Sequence, residues 1–304
     1  MLALVWATAT SLIAAPLRIV TLQPVLAEFA ATIGGAEVAV TSLLRPGADP
    51  HAFDPTPADL RQMIDADLVI ASGLGIEGFL GQLAQRTNLR GTLLVVGDRL
   101  PVDRLLRPDA DAHDHDDHDH AHEHHGVDPH WWHSVALARV TNHLIRDALA
   151  ALRPEQASAF AERAERQDRA LAELGQWIAS RAALVPPARR RLVTAHDAFG
   201  YLARDLGLKV VPLAGLSTAE EPDARRLATV IRQIRREHIP AVFVDAGASP
   251  ALLNAIEHDT DARLGGELYA DGLGPADSPA ATYDGMMRHN VNTIVDALAP
   301  SGSN

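Results

Sequence analysis

Four residues are of the right type and setting to hold a metal ion: His51 in RPGADPHAFDPTP, His130 in DPHWW, His196 in TAHDAFGYL and Asp271 in YADGLGP. Three neutral imidazoles and one carboxylate make a nitrogen-rich, borderline-soft donor set. Such a set matches four-coordinate Zn²⁺ with bonds of roughly 2.0–2.2 Å. Mn²⁺ prefers more oxygen, whereas Cu²⁺ and Ni²⁺ accept the same donors and are held off in a cell by availability more than by affinity. Asp245 in VFVDAGASP is a rival carboxylate for the same role. The chain contains no Cys, so a metal site has only nitrogen and oxygen to draw on, and no disulfide, thiolate centre, thiol catalysis or lipid-modified N-terminal Cys can be written for it.

A second group of imidazoles is of a different kind. The tract HDHDDHDHAHEHH carries His113, His115, His118, His120, His122, His124 and His125 interleaved with five acidic residues and nothing apolar larger than Ala. It cannot pack a core. The tract is expected to lie in a mobile loop spanning 109–127 and to collect metal weakly, because each transient complex must order flexible chain.

Elements that could position the four candidates follow from the apolar pattern. LRIVTL (17–22), EVAVTSLL (37–44), DLVIAS (67–72) and TLLVV (92–96) read as strands with helical segments between them. RLVTA (191–195), LKVVPL (208–213), AVFVD (241–245) and ELYA (267–270) repeat the pattern. The fold class is therefore α/β, with two similar lobes, each a parallel sheet flanked by helices. Between the lobes, Phe160, Leu171, Leu174, Trp177 and Ile178 fall on one helical face, which predicts a single backbone helix over 153–185, opened by Pro154 and stopped by Pro186 and Pro187. The expected organisation is a lobe over 16–152, the helix, and a second lobe over 186–304. In open α/β sheets ligands bind beyond the carboxyl ends of the strands. His51, His196 and Asp271 each follow a strand there, and His130 precedes a helix beginning near Ser134. Two candidates per lobe put the ion in the interlobe cleft.

Composition narrows the partners. A formal charge of −12 over 304 residues argues against nucleic acid and anionic lipid, and the 15 His point toward cations. Met1–Ala15, MLALVWATATSLIAA, is apolar, ends in small residues and is short for a membrane span, so it reads as a signal peptide over 1–15. With no Cys for a lipid anchor, that reading favours the periplasm.

The order of DPHAFDPTPADL (49–60), ASGLGIEGFL (71–80), DPHWW (128–132), TAHDAFGYLARDLGL (194–208), VFVDAGASP (242–250) and LYADGLGP (268–275) resembles the substrate-binding proteins of bacterial zinc and manganese ABC importers, the ZnuA-like and TroA-like cluster A-I family. The resemblance implies that His51, His130, His196 and Asp271 occupy the four ligand positions. It also implies two lobes on a rigid helix, a monomer, and delivery of the ion to a permease with its ATPase, with a periplasmic zinc chaperone as a further possible partner. Manganese-type relatives carry Glu at the third ligand position, where this chain has His196. That shifts the expectation from a manganese or iron carrier toward zinc. Two departures stand out: His133 places a spare imidazole after DPHWW, and Asp245 stands where zinc-type relatives often have Glu. A zinc hydrolase is the contrasting class. It needs an open coordination position, which four protein ligands would fill, and the chain has no HExxH. Asp54, Asp128, Asp197 and Asp245 are the candidate partners for orienting the imidazoles.

Overall fold

The computed structural model describes residues 15–81, 88–107, 126–216, 224–246 and 258–300. The expected signal peptide, apart from Ala15, and all seven auxiliary His lie outside the described residues.

In the first lobe, β1 (Leu17–Thr21), β2 (Val38–Ser42), β3 (Leu68–Ala71) and β4 (Thr92–Val95) form a wholly parallel sheet in the order β2-β1-β3-β4. The central strand β3 is buried throughout, as a strand covered on both faces must be, whereas edge strand β2 alternates exposed and half-buried residues. The second lobe repeats the plan. There β5 (Arg191–Thr194), β6 (Lys209–Pro212), β7 (Ala241–Asp245) and β8 (Arg263–Leu268) run parallel in the order β6-β5-β7-β8.

Helices α1 (Pro24–Gly34) and α2 (Pro57–Asp65) cross between the strands of the first sheet. Helix α3 (Val135–Leu152) leads to the connector α4 (Ala157–Ala182), and α5 (Gly200–Leu206), α6 (Ala224–Glu237) and α7 (Tyr283–Leu298) belong to the second lobe. At 26 residues, α4 is about 39 Å long. It packs on α1 and α3 of one lobe and on α5 and α7 of the other. Its buried face is Phe160, Ala164, Leu171, Leu174 and Ile178, while Trp177 stays half-buried beneath the Arg288 guanidinium, 4.6 Å from its ring centre. The apolar positions of α4 thus tie the two sheets into one continuous core that also takes in Phe29, Trp131, Trp132, Phe199, Phe243 and Tyr283.

Boundaries differ from the sequence expectation by a few residues, α4 ending at Ala182 and not 185, and two of the differences bear on the argument. Pro154 opens a separate 3-10 turn, Pro154–Gln156, before α4 begins, a tightening common at helix ends. Strand β8 starts at Arg263, not 267, and includes Gly265 and Gly266. A Cβ on Gly265 would lie 2.5 Å from the Phe243 ring, and Gly266 has φ of 136° where the β7–β8 register slips. Asp271 therefore lies three residues beyond the strand end, not directly after it.

Candidate metal centre

The loops at the carboxyl ends of β2, β5 and β8, with the segment entering α3, bring the four candidates to one point. One donor atom from each of His51, His130, His196 and Asp271 lies within 4.8 Å of the others. Nε2 of His51 is 3.3 Å from Nε2 of His130, and Oδ1 of Asp271 is 3.6 Å from His51 Nε2 and 3.7 Å from both His130 Nε2 and His196 Nε2. Tetrahedral zinc with bonds of about 2.0–2.1 Å sets its donors about 3.3–3.4 Å apart, so these edges need only contract slightly around an ion. His196 Nε2 and Asp271 Oδ1 are buried and have no hydrogen-bond partner. Buried polar atoms are nearly always paired, so two left facing each other fit a cation between them.

Local chemistry orients each donor. Asp128 Oδ1 accepts from the His130 backbone N–H at 2.9 Å and stands 2.8 Å from its Nδ1. Asp245 Oδ2 stands 2.6 Å from Nδ1 of His196. In each case the carboxylate accepts a hydrogen bond from Nδ1–H and leaves the Nε2 lone pair toward the cluster. Asp245 is thus a partner of His196, not a member of the quartet. Asp54 and Asp197 hold no site imidazole among the described residues; burial, with the Asp128 charge nearby, pushes Asp197 up to about 6. His51 is positioned differently. Its backbone N–H donates to Asp49 Oδ1 at 2.8 Å, its loop enters α2 through a Thr56/Asp59 capping box, and no carboxylate grips its Nδ1 among the described residues.

Protons and charge show what the cluster wants. Burial is the largest influence on His196 and opposes its charge, yet the hydrogen bond to Asp245 and the negative charges of Asp245 and Asp271 together outweigh it and raise His196 to about 10. His130 is raised likewise against burial, by Asp128 and Asp271. Asp271 is held well below the usual carboxylate range, since the three imidazoles facing it at 3.6–3.7 Å favour its charged form by more than burial opposes it. These directions describe one coupled set: a carboxylate-rich pocket that keeps positive charge, as protons when no metal is bound.

His133 does not join the quartet. Its Nε2 donates to the Ala270 carbonyl at 2.7 Å, its ring lies 4.9 Å from that of Phe199, and burial drives its pKa down to about 3, so it is neutral. The Trp132 indole donates to the same carbonyl at 2.9 Å, and that of Trp131 donates to Ser72 Oγ at 2.8 Å; both rings are buried wall. The sequence reading missed the Ala270 carbonyl, and also Tyr201 and Tyr283, whose hydroxyls donate to the Asp128 and Trp132 carbonyls at 2.8 Å each. A main-chain acceptor leaves no side-chain signature to find.

The family described as zinc-uptake complex component A, periplasmic (ZnuA) matches residues 19–297, nearly the whole chain. The chain belongs to the ZnuA family. It is thus a substrate-binding protein of the metal ABC transporter type. Among curated relatives it is 33% identical over 278 residues to the manganese-binding lipoprotein MntA of Bacillus subtilis, covering 90% of this chain and 87% of that one. It is 32% identical over 289 residues to the zinc-binding protein TroA of Treponema pallidum, covering 92% and 88%. The solved structure of that periplasmic zinc-binding TroA superposes with a TM-score of 0.84 at 30% identity, covering 94% of this chain and all of the other. The two parallel four-stranded sheets and the joining helix are this family's two-lobed fold.

Proposed function

We propose that the protein captures Zn²⁺ outside the cytoplasm and hands it to the permease of an ABC-type importer, holding the ion with His51, His130, His196 and Asp271. The observation that carries this reading is the donor set: three imidazole nitrogens and one carboxylate oxygen gathered within 4.8 Å of one another. Four protein donors leave no coordination position for a reacting water, which favours carriage over hydrolysis. The residues 1–15 export the chain to the periplasm in this reading, the monomer works with permease and ATPase, and a zinc chaperone is a candidate donor. The tract holding His113 to His125 serves as an auxiliary collector beside His130, raising the local metal concentration as a tethered weak site does.

One observation favours a second reading. The B. subtilis relative at 33% identity is named manganese-binding, and an iron-binding protein, YfeA of Yersinia pestis, is 27% identical over 277 residues. Against manganese stands the nitrogen-rich quartet, since Mn²⁺ is best served by carboxylate, carbonyl and water oxygen. Metal analysis of the purified protein, followed by competition between Zn²⁺ and Mn²⁺ for the stripped site, separates the readings: zinc retained against excess manganese supports the first, and manganese retained against zinc overturns it.

A further inference from the structure

The segment that carries His130 belongs to the first lobe by sequence, yet most of its hydrogen bonds reach the second. Tyr201 Oη donates to the Asp128 carbonyl at 2.8 Å, Tyr283 Oη donates to the Trp132 carbonyl at 2.8 Å, and Arg204 Nη2 donates to Ser134 Oγ at 3.2 Å. Trp132 Nε1 and His133 Nε2 both donate to the carbonyl of Ala270, which immediately precedes Asp271. Those two donors fill both lone pairs of one carbonyl. In the other direction, the segment reaches the first lobe by the Trp131 indole on Ser72 and by Asp128 N–H on the Leu106 carbonyl, and the Leu106 N–H itself donates to Tyr201 Oη. Among the described residues, His51 itself has no hydrogen bond across the cleft outside the donor cluster. Apart from the donor cluster itself, the main-chain bond from its loop to the Asp271 loop among the described residues is Gly47 N–H to the Leu273 carbonyl at 2.8 Å, with Gly47 exposed to solvent.

From this asymmetry we infer that His133, together with Trp132, is a positioning residue: by gripping the Ala270 carbonyl it locks the His130 segment to the Asp271 loop, so that His130, His196 and Asp271 form one fixed platform and His51 alone opens and closes the site. The inference rests on the four-residue metal reading proposed above. If the lobes move apart, three donors travel together and the ion passes through a three-coordinate stage before it leaves. His133 fits the role because it is buried, neutral and packed at a tilt against Phe199, so its single N–H has a fixed direction. Its distance from the donor cluster is bridged by one residue of backbone, and a shift of the Ala270 carbonyl turns the Asp271 carboxylate.

The test uses the full chain with Zn²⁺ in calorimetry and Co²⁺ as a spectroscopic probe. His133→Phe keeps a ring against Phe199 and deletes the donor. The expected result is a folded protein whose zinc affinity is about 10–100-fold weaker, the range for lost partners of metal ligands, with altered visible Co²⁺ bands that a purely structural role would leave alone. His133→Gln, which restores a donor, should recover most of both. Should His133→Phe fail to fold, Trp132→Phe removes the other donor with an aromatic ring kept and is read in the same way. The platform also orders the ligand variants: His51→Ala should weaken zinc binding less than His130→Ala. Wild-type affinity and an unchanged Co²⁺ spectrum in His133→Phe, or the reverse ligand order, would overturn the inference while leaving the four-ligand reading intact. Unweakened binding in both His51→Ala and His130→Ala would instead remove that reading and the inference with it.

Discussion

His51 and His130 present the same atom to the same point, 3.3 Å apart, from opposite kinds of support. His130 is fully buried, Asp128 grips its Nδ1, and its neighbours are bonded across the cleft. His51 rides on a loop of turns between β2 and α2, where Asp49 accepts from its backbone N–H and no carboxylate sits on its Nδ1 among the described residues. The difference teaches that a site drawn from both lobes need not divide its rigidity equally. A carrier must bind tightly and still let go, and a pocket with one loosely held donor does both without dismantling the rest.

The sharpest way to break this comparison is to remove a ligand from the rigid side. His196→Ala, in a protein lacking residues 113–125, should lose more than about a hundredfold in zinc affinity, beyond the 10–100-fold that partner loss costs. Undiminished tight binding in calorimetry would strike His196 from the site. Changing the partners sharpens the contrast. Asp245→Asn or Asp128→Asn should weaken zinc about 10–100-fold, because an amide no longer stabilises the imidazole in the metal-binding tautomer. Asp49→Asn, beside His51, should cost less than about tenfold by the same reasoning, and equal losses on the two sides would erase the distinction.

Acidity tests the rigid side as a whole. His196 is raised to about 10 in the metal-free protein, against about 6.5 in an unfolded chain. The bound proton therefore stabilises the metal-free fold fully below about pH 6.5, and that contribution is lost as pH rises through about 10. Zinc must displace the proton, so affinity should climb as pH rises from about 5 through neutrality, with proton release detectable by calorimetry in buffers of different ionisation heat. Affinity constant from about pH 5 to about pH 7.5 would indicate oxygen donors only. The smallest effect is expected from deleting residues 113–125. One tight zinc equivalent should remain while additional weak equivalents disappear from the titration, and loss of the tight equivalent would make the tract a primary ligand source.

Much of this was legible in the chain because the relevant signals are local. Apolar β-rich runs announced the strands, the one-sided apolar face of α4 announced the connector, and strand-end loops announced His51 and His196. Strand β8 begins earlier than the ELYA run because Gly265 and Gly266 carry no β-rich signal, and the close approach of Phe243 explains glycine inside a strand. Asp245 could not be told from Asp271 by type or position, since both follow apolar runs; their roles separate only when Asp245 is seen on Nδ1 of His196 and Asp271 beside three Nε2 atoms. His133 looked like a spare ligand because sequence carries no record of which way a ring points or that a carbonyl from another lobe would meet it.

The central claim is that three imidazoles and one carboxylate select zinc in a family whose relatives include a protein named for manganese. Titrating the metal-stripped protein with Zn²⁺, with and without a large excess of Mn²⁺, tests it most directly. The account predicts one tight zinc equivalent whose affinity manganese barely changes; manganese that fills the same equivalent and excludes zinc at comparable concentration would contradict it.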